Sequence, residues 1–170
     1  MNCAAMGVEW GEETLTIKPY RPTRTLRNLR ARGMAVVHLT DDILLFSQAA
    51  LGDPKPPTRP AVAVEGAVLE DACSWREVRV EAIDESGPRA RVVARVVGRG
   101  VGREFLGFNR ARGAVLEASI LASRVRFLPH DDVRSEVRRL QGVVEKTAGP
   151  RERAAMALVA QHVHDAIGER

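Results

Sequence analysis

Aromatic side chains make up only 4% of this 170-residue chain, which has two cysteines and only three lysines among 26 basic residues. The shortage of rings weakens a reading as a single-strand nucleic-acid binder, which stacks bases on aromatics set among cations. Cys3 and Cys73 form neither a CxxC pair nor the disulfide framework of small secreted domains, and they suit a reducing compartment. No apolar run approaches the ~20 residues a membrane helix needs. Glu9, Glu12 and Glu13 interrupt the apolar region a signal peptide would use, so a cytoplasmic protein with no membrane partner is expected. CxxC, HExxH, Walker A and GxSxG motifs are all missing, so no metal is expected and no catalytic residue stands out. What remains is ordinary for a folded protein, with 45% hydrophobic and 28% charged residues. The length suits one domain with a small appendage and excludes a large two-lobed nucleotide enzyme.

The net charge of +4 is unevenly spread. Residues 18–32 hold Lys18, Arg21, Arg24, Arg27, Arg30 and Arg32 and no acid, leaving the rest of the chain slightly negative. A local excess of this kind suits a compact anion better than a long polyanion. Nucleic-acid binding by the basic helix is therefore the weakest of three functional readings.

Periodicity outlines the elements. Residues 2–10 and 13–20 read as two strands turned at Gly11-Glu12, and Leu15 and Ile17 alternate with polar neighbours in the second. Thr23 can cap a helix over residues 23–32, which Gly33 would end in the left-handed conformation. Residues 34–40 read as a buried strand, and Asp41-Asp42 starts a helix through Leu51. Residues 52–60, with four prolines, read as an extended connection. Three strands are expected at 62–70, 75–83 and 89–97, giving six in all. Gly98–Gly102 (GRGVG) lacks the third glycine of a dinucleotide fingerprint and reads as a flexible loop. Helices follow over 109–123, through Val133, Val137, Leu140 and Val144, and through Met156, Val159, Val163 and Ile167. The fold class is mainly β with α, a small β-barrel over residues 1–107 with a helical region over residues 108–170 packed on it.

The start of the helix at residue 23 is chemically unusual. A helix N-terminus carries about half a positive charge and unpaired N–H groups, so its first turn favours Asp or Glu. Here it holds Arg24, Thr25 and Arg27. A bound phosphate would turn that repulsion into attraction, accepting from free amides, from Thr23 and Thr25 hydroxyls and from Arg24. A solvated basic helix with a plain threonine cap is the alternative. Cys3, next to this possible site, could be a nucleophile but reads by default as a small residue on a buried strand, and His38 and His130 read as core or surface residues. His162 and His164, two apart on a helix, point apart and make no metal pair.

Four blocks resemble a family of FMN-binding split-barrel proteins of archaea and methanopterin-using bacteria, distantly similar to flavin reductases. Asn2-Cys3-Ala4-Ala5-Met6-Gly7 resembles the family's NAAPMG strand, and Thr23-Arg24-Thr25-Leu26-Arg27-Asn28-Leu29 its SRTYRNL helix start. His38-Leu39-Thr40-Asp41-Asp42 resembles its NVTDDP block, and Phe108-Asn109-Arg110-Ala111 the NRA start of its C-terminal region. The resemblance runs along nearly the whole chain. It implies that the barrel over residues 1–107 is a split β-barrel with bound FMN, a homodimer with the flavin at the subunit interface, and flavin-dependent oxidation or reduction of an unknown small molecule, in a setting of methanopterin-linked one-carbon metabolism. A non-catalytic holder of FMN or another phosphorylated ligand is the alternative. By position, Thr23, Arg24, Thr25 and Asn28 would hold the phosphate, Asn2, Ala4, Ala5 and Met6 would line the isoalloxazine ring, and His38 would lie near it. Ala5 replaces the family's proline and His38 its asparagine. Relatives carry a strand and turn before the first block, whereas this sequence begins inside it. The expectation is an exposed sheet edge that an upstream extension or a partner chain covers, or else weakened flavin binding.

Overall fold

The computed structural model describes residues 2–168 and divides into two compact units, one of residues 1–40 and 56–105 and one of residues 41–55 and 106–170. The first unit is built on a five-stranded antiparallel sheet. Its strands are β1 (Val8–Trp10), β2 (Thr14–Ile17), β3 (Met34–Leu39), β6 (Ser74–Asp84) and β7 (Arg91–Val101), in the order β1-β2-β7-β6-β3. A separate two-stranded ribbon joins β4 (Thr58–Pro60) to β5 (Ala67–Leu69). Leu15, Val78, Val92 and Ala94 are almost completely buried on the sheet, and each such apolar side chain of Val or Leu size contributes about 1.5–3 kcal/mol.

One helix, α1 (Arg24–Arg32), lies in this unit and begins and ends where its end signals say. Thr23 takes an extended conformation and its hydroxyl accepts the N–H of Leu26 at 3.3 Å. Gly33, at φ 62°, closes the helix with its N–H on the Leu29 carbonyl at 2.9 Å. In this left-handed position a side chain would be strained. Leu26 and Leu29 are buried with Ile17, Ala90 and Val92, and Met6 and Val8 pack against the same cluster.

The second unit holds α2 (Ile43–Leu51), α3 (Arg110–Ala122), α4 (His130–Val144) and α5 (Pro150–Gly168). The expected helical periodicity is what the core uses. Val133, Val137, Leu140 and Val144 of α4 and Met156, Val159, Val163 and Ile167 of α5 are buried together. Ala111, Ala114, Ala118 and Ala122 give α3 a face of small residues, which lets neighbouring helices approach closely. Between α2 and α3 the Ser47 and Ser119 hydroxyls meet at 2.9 Å, and each also bonds the carbonyl one turn back in its own helix. Arg112 reaches Asp41 at 3.2 Å and Glu152 at 2.8 Å, so one guanidinium joins two nearly buried carboxylates. Asp42 caps α2 through the N–H of Leu45 at 3.2 Å and pairs with Arg151.

Four sequence expectations differ from the structure. The first strand is confined to Val8–Trp10, and residues 2–7 have no regular structure. The strand expected at 62–70 is reduced to β5, because residues 61–66 turn back with the Ala61 N–H on the Gly66 carbonyl at 2.9 Å. The proline-rich connection ends in β4, so the described residues hold seven strands in two sheets rather than six. Gly98–Gly102 is not a loop: Gly98 and Gly100 lie within β7. Gly100 sits opposite Trp75 of β6, and a Cβ there would lie 1.9 Å from the indole ring. Gly100 clears space for this ring and Gly98 for the side chains of Ala63 and Glu77, which is a packing role and not a phosphate-binding one. Residues 41–55, which carry α2, group with the later helices. Ile43 belongs to the helical core, and periodicity along a chain carries no information on which distant element completes a face.

Candidate functional site

The start of α1 gathers the basic segment and part of the N-terminal segment. No acid occupies the first turn of the helix. The side-chain amide of Asn2 donates to the Thr25 hydroxyl at 3.2 Å, so residues 23 apart in sequence meet here. Met6 is half-buried against Leu26 and Leu29, Ala5 is half-buried, and Ala4 is exposed. Arg24 and Asn28 are exposed on the helix and Thr25 is partly covered. Arg24, Thr25 and Asn28 share one flank, since residues three and four apart are neighbours on a helix surface. The Asn2 contact thus places the two groups of expected ligand residues side by side at one helix end.

His38 is held differently. Its Nε2 accepts the N–H of Leu69 at 3.1 Å, tying β3 to β5. Burial pushes its pKa down to about 4, so at neutral pH the ring is uncharged and the proton sits on Nδ1. A neutral ring with a fixed tautomer is a structural tie first. As a flavin neighbour it would offer a neutral Nδ1–H donor and not a cation.

The other flank of α1 borders an open hollow of ≈ 310 Å³ lined by Arg21, Thr23, Leu26, Arg27, Arg30 and Glu85. Of the residues expected at the phosphate, only Thr23 reaches it. Arg30 grips Glu85 in a two-pronged ion pair, with Nε donating at 2.8 Å, and Arg21 donates to the Glu85 carbonyl. The hydrogen bond from Arg30 holds the Glu85 carboxyl below its ordinary range. The basic excess of residues 18–32 was the available signal for these arginines. Nothing local marks Glu85, which reaches them from the β6–β7 turn.

A buried acid on β6 also escaped sequence reading. Glu77 lies in phase with the exposed Arg79 and Glu81 on β6, yet it is 3% exposed. The 61–66 turn covers it and points three successive N–H groups at Oε2, those of Val62 at 3.0 Å, Ala63, and Val64 at 3.1 Å. Burial opposes the charge, but these donors prevail and hold the carboxyl below its ordinary range. The arrangement fastens a loop. Among the described residues no cluster of His, Cys, Asp and Glu could hold a metal ion, and no helix is long and apolar enough to cross a membrane.

Comparisons bear on the same regions. Residues 1–103 match the N-terminal domain of the family described as protein of unknown function (DUF447), and residues 109–161 match a second domain of that description. An FMN-bound DUF447 protein of Methanosarcina mazei is similar in structure, with a TM-score of 0.84 and 20% identity over 95% of this chain and 87% of that one. The flavin reductase of the styrene monooxygenase of Pseudomonas putida S12 gives a TM-score of 0.46 and 18% identity over 57% and 65%. An FMN-binding protein of Thermus thermophilus gives 0.48 and 15% over 62% and 65%. The likeness to the Methanosarcina protein shows a shared fold, the split β-barrel followed by helices that the sequence led one to expect.

Proposed function

The chain belongs to the DUF447 family, and from that premise we propose that it is an FMN-binding flavoprotein that oxidises or reduces a small molecule. The observation that carries the reading is the helix start. An acid-free first turn bearing Arg24 and Thr25, capped by Thr23 and joined by Asn2, is a place where a phosphate dianion would replace repulsion by attraction. Arg24 would supply a charge-assisted hydrogen bond, Thr23 and Thr25 hydroxyl donors, and Asn28 an amide one turn on. Asn2, Ala4, Ala5 and Met6 would face the ring, with Met6 backed by the α1 core. The FMN-bound Methanosarcina relative supports the choice of ligand.

FMN, when bound, supplies the electron and hydride chemistry, so the protein needs no acid or base of its own for that step. The residues of this chain bind and orient. The oxidoreductase reading includes a homodimer, with a second copy completing the ring site next to the β1 edge, where Trp10 is half exposed. It also includes the methanopterin-linked one-carbon setting of the resembled family. The test is a visible spectrum of the purified protein with mass identification of the released ligand, followed by anaerobic reduction and reoxidation with candidate substrates. Released FMN and substrate-dependent reoxidation support the proposal. Released FMN without any substrate-dependent step supports a carrier instead, and a colourless protein that takes up no FMN refutes both.

A further inference from the structure

The hollow beside α1 lies on the flank turned away from Arg24, Thr25 and Asn28, and of the flavin contacts proposed above it shares only Thr23. At about 100° per residue, Arg27 and Arg30 centre about 140° round the helix from Arg24, Thr25 and Asn28. Leu26 and Leu29 fill the core-facing sector between. The hollow brings together the guanidinium groups of Arg21, Arg27 and Arg30 with one carboxylate, Glu85, a formal excess of two positive charges. Arg27 has no hydrogen-bond or ion-pair partner among the described residues. Arg30 is already posed for an oxyanion, since it holds the two Glu85 oxygens in the planar fork that also fits phosphate. Glu85 belongs to a turn and its side chain keeps about 24% of its surface in solvent, so a dianion entering from solvent can compete with its single charge for Arg30.

We infer that this hollow is a second anion site, for a small dianion of phosphate-monoester or dicarboxylate type, and that Glu85 is an internal counter-ion which the ligand displaces from Arg30. Two negative charges match the excess, and a volume of ≈ 310 Å³ suits a small ligand resting its apolar part on Leu26. The site serves an anionic substrate or co-substrate of the flavoprotein. It rests on that reading only in placing the flavin phosphate on the other flank.

The test is calorimetric titration of the FMN-loaded full chain with inorganic phosphate and, separately, with succinate, at constant ionic strength. Saturable binding of one or both is expected, and the tighter of the two identifies the ligand chemistry. Arg27→Gln should weaken it about tenfold by removing a charged donor. Glu85→Gln should tighten it roughly twofold to fivefold by removing the competing carboxylate. Neither variant should change FMN affinity. The inference is overturned if neither dianion saturates, if Arg27→Gln binds as the parent does, or if Glu85→Gln brings no gain. Loss of FMN relative to riboflavin in Arg27→Gln would make the hollow the flavin phosphate seat, ending the two-flank assignment while leaving FMN binding intact. Should the protein bind no FMN, the same titrations on Arg24→Ala without flavin still decide the dianion site, so the two readings fail separately.

Discussion

Replacing Glu77 isolates the contribution of a single buried carboxylate. Its Oε2 accepts from Val62, Ala63 and Val64, and Val62 also lies 3.2 Å from Oε1. In Glu77→Gln the amide oxygen can keep the Oε2 place, so three charge-assisted bonds become neutral ones at roughly 1 kcal/mol each. The NH2 group then faces the Val62 N–H, donor against donor. Relief from burying a charge offsets part of the loss, and a net destabilisation of about 1–2 kcal/mol is expected. Glu77→Ala should cost about 2–4 kcal/mol, because the Val64 N–H is left buried and a cavity opens. Both tryptophans, Trp10 and Trp75, lie in the first unit, so urea unfolding followed by indole fluorescence reports on it alone. The pH dependence follows from the lowered pKa. The carboxylate contributes fully above its unfolded value of about 4.3 and loses that contribution as pH falls through the lower folded value. The gap between parent and Glu77→Gln should therefore be level above about pH 5 and shrink below about 4.3. Amide exchange at residues 62–64 should quicken in the variant. Equal stability at pH 7 with unchanged exchange at those amides would refute the reasoning.

Gly100→Ala should destabilise the first unit by about 1–3 kcal/mol or more, since its Cβ would fall 1.9 Å from the Trp75 ring; a stable variant with unchanged indole emission would restore the loop reading. Arg112→Gln should cost on the order of 3 kcal/mol in the second unit by stranding Asp41 and Glu152, read by urea unfolding at the helical circular-dichroism band; a loss below about 0.5 kcal/mol would show the pairs to be solvent-screened. His38, with its pKa lowered to about 4 by burial, favours the folded state fully above its unfolded value of about 6.5 and progressively less as pH falls towards 4. Below about 6.5 each pH unit should remove less than about 1.4 kcal/mol, and a parent and His38→Gln pair with identical pH slopes in that window would show the ring to be solvated.

The elements that were legible are those with local punctuation. α1 was fixed by Thr23 and Gly33, α2 by Asp42, and α4 and α5 by one apolar face each, all signals within a few residues of what they specify. Distant partners were not legible. Gly100 looked like a loop glycine because Trp75 stands opposite it only once β6 and β7 pair. Glu77 kept the rhythm of a solvated strand face, and the turn that buries it arrives from 13 to 15 residues earlier. Residues 2–7 had apolar composition but found no ladder, so composition alone overstated β1. At the candidate site the charge excess on α1 was legible, while the Asn2–Thr25 contact and the position of Glu85 beside the arginines were not, since both join residues far apart in the chain.

Comparative titration of FMN and riboflavin into the parent and Arg24→Ala proteins tests the central claim most directly, since the two flavins differ only in the phosphate. FMN should bind the parent more tightly than riboflavin. Arg24→Ala should lose about tenfold to a hundredfold for FMN and almost nothing for riboflavin, the effect of one hydrogen bond to a charged group. Arg138→Ala, which removes an exposed guanidinium of α4, serves as the control and should change neither. Equal losses for both flavins in Arg24→Ala, or no preference for FMN in the parent, would contradict a phosphate seat at the start of α1.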